Sequence, residues 1–292
     1  MCTQLFDVKQ DYVFKKIFGS ESHPNILISF LNACLKGRDV IVGVTIKNSK
    51  IAREFIENSY SRLDILAETN AGELINIEMQ RADEKNMVKR SFYYWAKTYS
   101  SCYNGKRQYD KLPRTICINV LDFELLELES ETSYHNIFTV KNQFNREIDD
   151  TFEMHFIELP KLCIKTEDHL SLWLSFVDDA NSESAIQAES EIQEIHEARE
   201  ELARLSRNPE EAEIYRQRAN ALSDRYNALL GAKAVGLEEG IEKGIKQGIE
   251  QGKKEAMVEM AISLLDLLDD ETIARKTKLS VREISELRIA QN

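Results

Sequence analysis

The chain reads as an α/β sheet domain flanked by helices, followed by an all-helical C-terminal extension. A hairpin pattern spans residues 60–80, and Thr115-Ile116-Cys117-Ile118-Asn119-Val120-Leu121 is a nearly continuous apolar strand of the kind buried on both faces. Beyond about Asn181 every periodic segment has helical spacing.

Taken in order, Phe14, Ile17, Phe18 and then Ile26, Leu27, Phe30 and Leu31 recur at helical steps between Asp7 and Leu35, with a break from Gly19 to Pro24. Two short helices fit. Val40 to Ile46 is a β-branched run. Tyr60 to Glu68 reads as a strand, Thr69-Asn70-Ala71-Gly72 supplies turn chemistry, and Glu73 to Gln80 reads as the returning strand. Side chains alternate at period two, so Leu74, Asn76, Glu78 and Gln80 share one face while Ile75, Ile77 and Met79 share the other, which is expected to face inward. A loop closing around Ala71 sets Asp64 opposite Glu78 or one step away, so that both carboxylates reach one ion. A slip of one residue would turn Asp64 to the wrong face. The competing reading is a hairpin with acidic residues on a solvated face.

Lys85 to Tyr103 carries Phe92, Trp95, Tyr99 and Cys102 at the three- and four-residue steps of an amphipathic helix. Strand-like segments lie around Phe138 and from Phe152 to Ile157. Ser182 to Leu205 and Pro209 to Leu230 read as two long charged helices, the second capped by Asn208 with Pro209 at its first position. Gly236, Gly240, Gly244, Gly248 and Gly252 then repeat every four residues, the first four followed by Leu237, Ile241, Ile245 and Ile249. Glycines in a helix cost about 1 kcal/mol each against alanine, so this tract is either a partly helical linker or a groove for close, right-handed self-association. Glu255 to Gln291 reads as three helices, with a Ser280–Glu283 capping box and Ile273, Ala274, Leu279 and Ile284 at helix-turn-helix spacing. Lys278 stands where such a turn usually has glycine. This unit either reads DNA or packs as an oligomer-forming bundle. The divisions are a core over 1–180, a charged helical pair over 181–231 and the glycine-periodic helix with its bundle over 232–292.

Composition excludes several classes. The five cysteines are odd in number and contain no Cys-x-x-Cys pair, and the five histidines are scattered, so neither a disulfide framework nor a zinc site is indicated. No apolar run approaches the ~20 residues needed to span a bilayer, and the N-terminus lacks a signal segment, so a cytoplasmic protein without a membrane partner is expected. The net charge of -12 argues against indiscriminate nucleic-acid binding, yet from Arg81 to Arg114 nine basic residues face three acidic ones.

Asp11-Tyr12-Val13-Phe14-Lys15-Lys16-Ile17-Phe18-Gly19, Arg62-Leu63-Asp64, Ile77-Glu78-Met79-Gln80 and Arg90-Ser91-Phe92-Tyr93-Tyr94-Trp95 together resemble the PD-(D/E)XK nuclease family transposases, also called recombination-promoting nucleases. The resemblance covers roughly residues 5 to 170, and the glycine-periodic tail also looks like tails of that family. It implies a restriction-endonuclease-like core, a mixed sheet flanked by helices, that cleaves double-stranded DNA with Mg²⁺ or Mn²⁺. Asp64 then corresponds to the metal-binding aspartate, Glu78 to the second acidic residue, Gln80 to the position usually held by lysine, and Asp11 to the acidic residue of the first helix. Asp64, Glu78 and the Met79 backbone carbonyl form the implied metal site. Oxygen-only ligands suit a hard cation. Gln80 can hold an attacking water but cannot stabilise negative charge as an ammonium does. Arg90 and Tyr94 lie four apart on one helix face with Lys97 a turn further on, and with Lys15 they form the expected DNA contacts. A homodimer or higher oligomer through the C-terminal helices is expected. The competing function is a DNA-binding or oligomeric protein on a catalytically silent nuclease fold.

Overall fold

The computed structural model describes residues 5–36, 40–47, 65–103, 108–125, 133–162 and 168–291. The chain divides into two compact units, Met1–Ala219 and Asn220–Asn292.

In the first unit, helix α1 (Asp11–Phe18) buries Val13, Phe14, Ile17 and Phe18, and α2 (Pro24–Cys34) begins with proline at its first position, where the missing N–H costs no hydrogen bond. Gly19 ends α1 by donating its N–H to the Lys15 carbonyl at 2.9 Å. A Cβ there would stand 2.5 Å from that oxygen, so the tight exit requires glycine.

Strands β1 (Val44–Ile46), β2 (Ile65–Thr69), β3 (Leu74–Gln80), β4 (Thr115–Leu121), β5 (His135–Thr139) and β6 (Phe152–Glu158) form one six-stranded sheet in the order β1-β2-β3-β4-β6-β5. β1–β2, β2–β3 and β5–β6 pair antiparallel, while β3–β4 and β4–β6 pair parallel, so the sheet is mixed. Ile65 pairs with Ile77, Leu66 with Asn76 and Glu68 with Leu74, which centres the hairpin on Ala71. Gly72 takes the left-handed conformation the turn demands, with φ 84°.

Ile75, Ile77 and Met79 join Ile116, Ile118 and Val120 in the main core. That face is covered by α1, α2, α4 (His169–Asp178) and α6 (Gln193–Arg207), with Phe18, Phe30 and Trp173 in mutual ring contact at 5.0 to 6.0 Å. Each such ring contributes about 1.5–3 kcal/mol by burial. The opposite face carries α3 (Met87–Ser101), whose Met87 packs with Cys117, Leu121, Met154 and Phe156.

Two details depart from the periodicities. Helix α3 buries Met87, Ser91, Tyr94 and Thr98 rather than the Phe92, Trp95, Tyr99 and Cys102 stripe, and Phe92 is 49 % exposed. The sheet beneath presents polar side chains, and Ser91 Oγ donates to Asn119 Oδ1 at 2.9 Å, so the helix turns a mixed line inward. The segment read as one helix from Ser182 is split into α5 (Glu183–Glu191) and α6 by Ile192, which is extended and 6 % exposed. Burying that side chain outweighs continuing the helix. Ala185, Ala188, Ile195, Ala198, Leu202 and Leu205 place both helices in the main core.

Helix α7 runs from Pro209 to Leu264, and Asn208 Oδ1 accepts from the Glu210 N–H at 2.8 Å as its cap. Its first turns are fastened to the core. Tyr215 stacks on Phe6 at 4.2 Å, while Glu211 accepts from Lys16 at 2.9 Å and from the Tyr12 hydroxyl.

In the second unit, the end of α7 packs with α8 (Asp270–Thr277) and α9 (Val281–Gln291) around Ala261, Leu265, Ile273, Leu279 and Ile284. The Ser280–Glu283 box is formed, with Glu283 N–H on Ser280 Oγ at 3.2 Å and Ser280 N–H on the Glu283 carboxylate at 2.8 Å. Lys278 takes the left-handed turn position with φ 61°. The glycine tract is helical, and an added Cβ at Gly236, Gly240, Gly244, Gly248 or Gly252 meets nothing within 4 Å.

Candidate active site

Alternation along β3 puts Asn76, Glu78 and Gln80 beneath α3. Glu78 is 2 % exposed and Asn76 1 %, so the solvated-hairpin alternative fails. A carboxylate this desolvated needs compensating partners. Asn76 Nδ2 donates to Glu78 Oε1 at 3.4 Å, and Arg90 Nη2 lies 3.8 Å from Glu78 Oε2.

Arg90 ties the cluster together. Its Nη1 donates to Gln80 Oε1 at 3.2 Å and its Nε to the Tyr94 hydroxyl at 3.0 Å, with the guanidinium 5.3 Å from the centre of the Tyr94 ring. The Gln80 amide nitrogen donates to the Ala82 carbonyl at 3.2 Å, which fixes the oxygen toward Arg90. Burial disfavours the Arg90 charge, but Glu78, Tyr94 and Glu84 outweigh it and hold the group above its ordinary basicity. Burial, reinforced by Glu78, pushes the Cys117 thiol up to about 12, which disfavours its thiolate.

The structure thus assembles Glu78, Gln80, Arg90 and Tyr94. Lys97 follows on α3, half-buried. The side chain of Met79 is in the apolar core, on the opposite face from Glu78. Asp11 and Lys15 belong to α1, which packs on that same apolar face, and Asp11 pairs with Arg218 of α7 at 3.3 Å. Asp64 lies outside the described residues. Its sequence neighbour Ile65 opens β2 opposite Ile77, the residue before Glu78.

Several cations of the 81–114 stretch are used within the fold: Arg81 on Asp7, Lys85 on Asp83, Arg90 on Glu78, and Arg114 on Glu73 and Glu153. Lys89 and Lys111 are exposed. Asn76 and Asn119 form the polar floor under α3 and Ser91 meets it from the helix; the sequence pattern assigns none of the three a role, although alternation sets Asn76 on the Glu78 face.

The donor set fits a hard divalent cation. Glu78 and Gln80 offer oxygen atoms, and Asn76 Oδ1 is a buried oxygen that accepts no hydrogen bond among the described residues. No cluster of three or more His, Cys, Asp or Glu side chains suited to a metal occurs among the described residues.

A mixed sheet flanked by helices, with a buried glutamate on its central strand beside a glutamine and an arginine, defines a protein of the PD-(D/E)XK nuclease fold. The family model described as PD-(D/E)XK nuclease family transposase matches residues 8–232, and the chain belongs to that family. Comparison with curated proteins returned no match, and comparison with solved structures returned none. Among the described residues no helix is long and apolar enough to cross a membrane.

Proposed function

We propose that the protein is a metal-dependent DNA endonuclease acting in transposition or recombination. The observation that carries this reading is the buried Glu78 carboxylate flanked by Asn76, Gln80 and Arg90 in a chain of this nuclease family. Asp64, Glu78 and the Met79 carbonyl would hold Mg²⁺ or Mn²⁺, a reading supported by the pairing of Ile65, which follows Asp64 in sequence, with Ile77, which precedes Glu78. When bound, the metal supplies a lowered water pKa and neutralises charge on the phosphate. Gln80 Oε1 orients the attacking water as an acceptor. Arg90, released from Glu78 when that charge is taken up elsewhere, turns to the scissile phosphate, with Tyr94 holding the guanidinium plane. Lys97 and Lys15 contact flanking phosphates, and Asp11 acts through its pairing with Arg218.

Glu78 and Gln80 also carry Arg90 as a partner already, which favours a second reading, a silent nuclease fold that binds DNA. Supercoiled plasmid with Mg²⁺ or Mn²⁺ separates them. Nicking by wild type that drops by about a thousandfold or more in Asp64→Ala and Glu78→Ala supports the enzyme. Equal nicking by all three assigns the activity to a contaminant. Self-association is read onto α7, where Leu237, Ile241, Ile245 and Ile249 are each more than half exposed beside the glycines. The last segment, residues 255–291, has eight acidic and five basic side chains, which favours packing over DNA reading. The cytoplasm is the proposed compartment.

A further inference from the structure

A cleft of 660 Å³ opens between α1, the turn after it, α6 and the start of α7, on the opposite side of the sheet from the Glu78 side chain. Its walls carry Lys15, Lys16, Arg204 and Arg218 together with the hydroxyls of Ser20 and Ser22, against one acidic side chain, Glu201. In a chain of net charge -12 this is a local reversal of sign. We propose that the cleft binds the phosphodiester backbone of DNA, extending the flanking contact at Lys15 over Lys16 and, on the helices that follow the sheet, over Arg204 and Arg218. The inference rests on the reading of DNA as substrate.

Lys15 is exposed and has no ion-pair partner among the described residues, so it does no structural service that explains a cation at that place. The other three cations are paired, Lys16 with Glu211 at 2.9 Å, Arg204 with Glu201 at 2.6 Å and Arg218 with Asp11 at 3.3 Å. Their side chains are 43, 64 and 37 % exposed, and ion pairs in such settings are weak enough to exchange one anion for another. The arginine forks match phosphate geometry. The ring of Tyr12 is already covered by Arg218, at 4.8 Å, so apart from the His23 imidazole the cleft offers charge and hydroxyls. That combination recognises a backbone and not a sequence.

Position supports a nucleic acid over a free anion. At the floor of the cleft, a Cβ built on Gly19 would stand 3.5 Å from the Ile65 side chain, and Ile65 directly follows Asp64. A DNA strand held on these cations therefore passes near the start of β2, which Asp64 directly precedes in sequence.

The test measures binding of a labelled duplex in EDTA across a salt series, using the full chain. Lys15→Gln and Arg204→Gln should each weaken binding by up to about tenfold near 0.1 M salt and reduce the slope of log K against log salt by about one, the double variant by about two. Arg204→Lys, which keeps the charge, should retain the slope, and Lys141→Gln, on the 140–148 loop, should bind as wild type does. Unchanged slopes in both cleft variants would overturn the proposal. So would saturable binding of inorganic phosphate or a mononucleotide that Lys15→Gln abolishes while duplex binding stays intact, since that identifies a small phosphorylated ligand. Metal-dependent cleavage is assayed in parallel with Glu78→Ala. Cleavage lost in Glu78→Ala with slopes unmoved sinks the cleft alone, and slopes moved without any Glu78-dependent cleavage sinks the nuclease alone.

Discussion

The Arg90 guanidinium stands 3.8 Å from the Glu78 carboxylate, at a position where Glu78 is 2 % exposed. Removing the cation takes a compensating partner from a buried carboxylate, so Arg90→Met should destabilise the core by about 3 kcal/mol, read from the urea midpoint. Glu78→Gln added to Arg90→Met should return part of that loss, because the buried charge that lost this partner is then gone. Mg²⁺ should raise the midpoint of Arg90→Met more than that of wild type, as a cation binding at Glu78 replaces the missing one. A variant that Mg²⁺ leaves unmoved argues against a metal at this carboxylate.

The hairpin that carries Glu78 was legible because period-two alternation and turn chemistry mark both strands and the turn, whereas its register, open by one residue in the sequence, is fixed by the pairing of Ile65 with Ile77. The strand Thr115–Leu121 was legible for a similar reason, being apolar on both faces. The rotation of α3 was not legible. An aromatic stripe looks like the buried side of a helix, but Asn76, Glu78 and Asn119 on neighbouring strands make a polar floor, on which Ser91 meets Asn119 and Arg90 meets Glu78. Nor does any local pattern place β6 between β4 and β5, since that order depends on pairing across distant segments. The fate of the basic residues was hidden likewise, because Arg114 meets Glu73 and Glu153 only once three strands are assembled.

On β5 and β6, His135 Nε2 lies 2.8 Å from His155 Nδ1, and His155 Nε2 lies 2.7 Å from Glu153 Oε1. The carboxylate takes the His155 Nε2–H, so His155 Nδ1 accepts from His135. Burial first, and then the His155 neighbour, lowers His135 to about 4. The unfolded chain thus binds a proton that the folded chain refuses between pH ~6.5 and ~4. Stability from this group is whole above pH ~7, falls as the pH drops through that window, and loses on the order of 2–3 kcal/mol. His135→Gln, whose amide can still donate to His155, should flatten the profile of urea midpoint against pH in that window. An unchanged profile would place the titration elsewhere.

The glycines of α7 allow helix propensity and association to be separated. Within this chain a Cβ at Gly240 or Gly244 meets nothing within 4 Å, so Gly240→Ala and Gly244→Ala should each favour the helix by about 1 kcal/mol in a monomer. If a second copy approaches along the glycine groove, the added methyls keep the backbones apart and weaken association. Sedimentation and circular dichroism over a concentration series read the two effects independently. More helix with unchanged self-association would remove the groove as the interface.

Lys278 holds the turn between α8 and α9 at φ 61°, with its N–H on the Ala274 carbonyl at 2.9 Å. A side chain in the left-handed region costs roughly 1–2 kcal/mol, which glycine avoids, although glycine gives back part of the gain through the freedom of the unfolded chain. Lys278→Gly should therefore stabilise the C-terminal unit by about 1 kcal/mol, slowing hydrogen exchange in α8 and α9 by about fivefold where opening is shared by both helices. Lys278→Val should act in the opposite direction, since a β-branched side chain fits this conformation worst. Because Leu279 and Ile284 pack on the same core as Ile273, a turn that opens releases both helices, and the exchange rates of α8 and α9 should move together. If they respond separately, the turn is not what couples them.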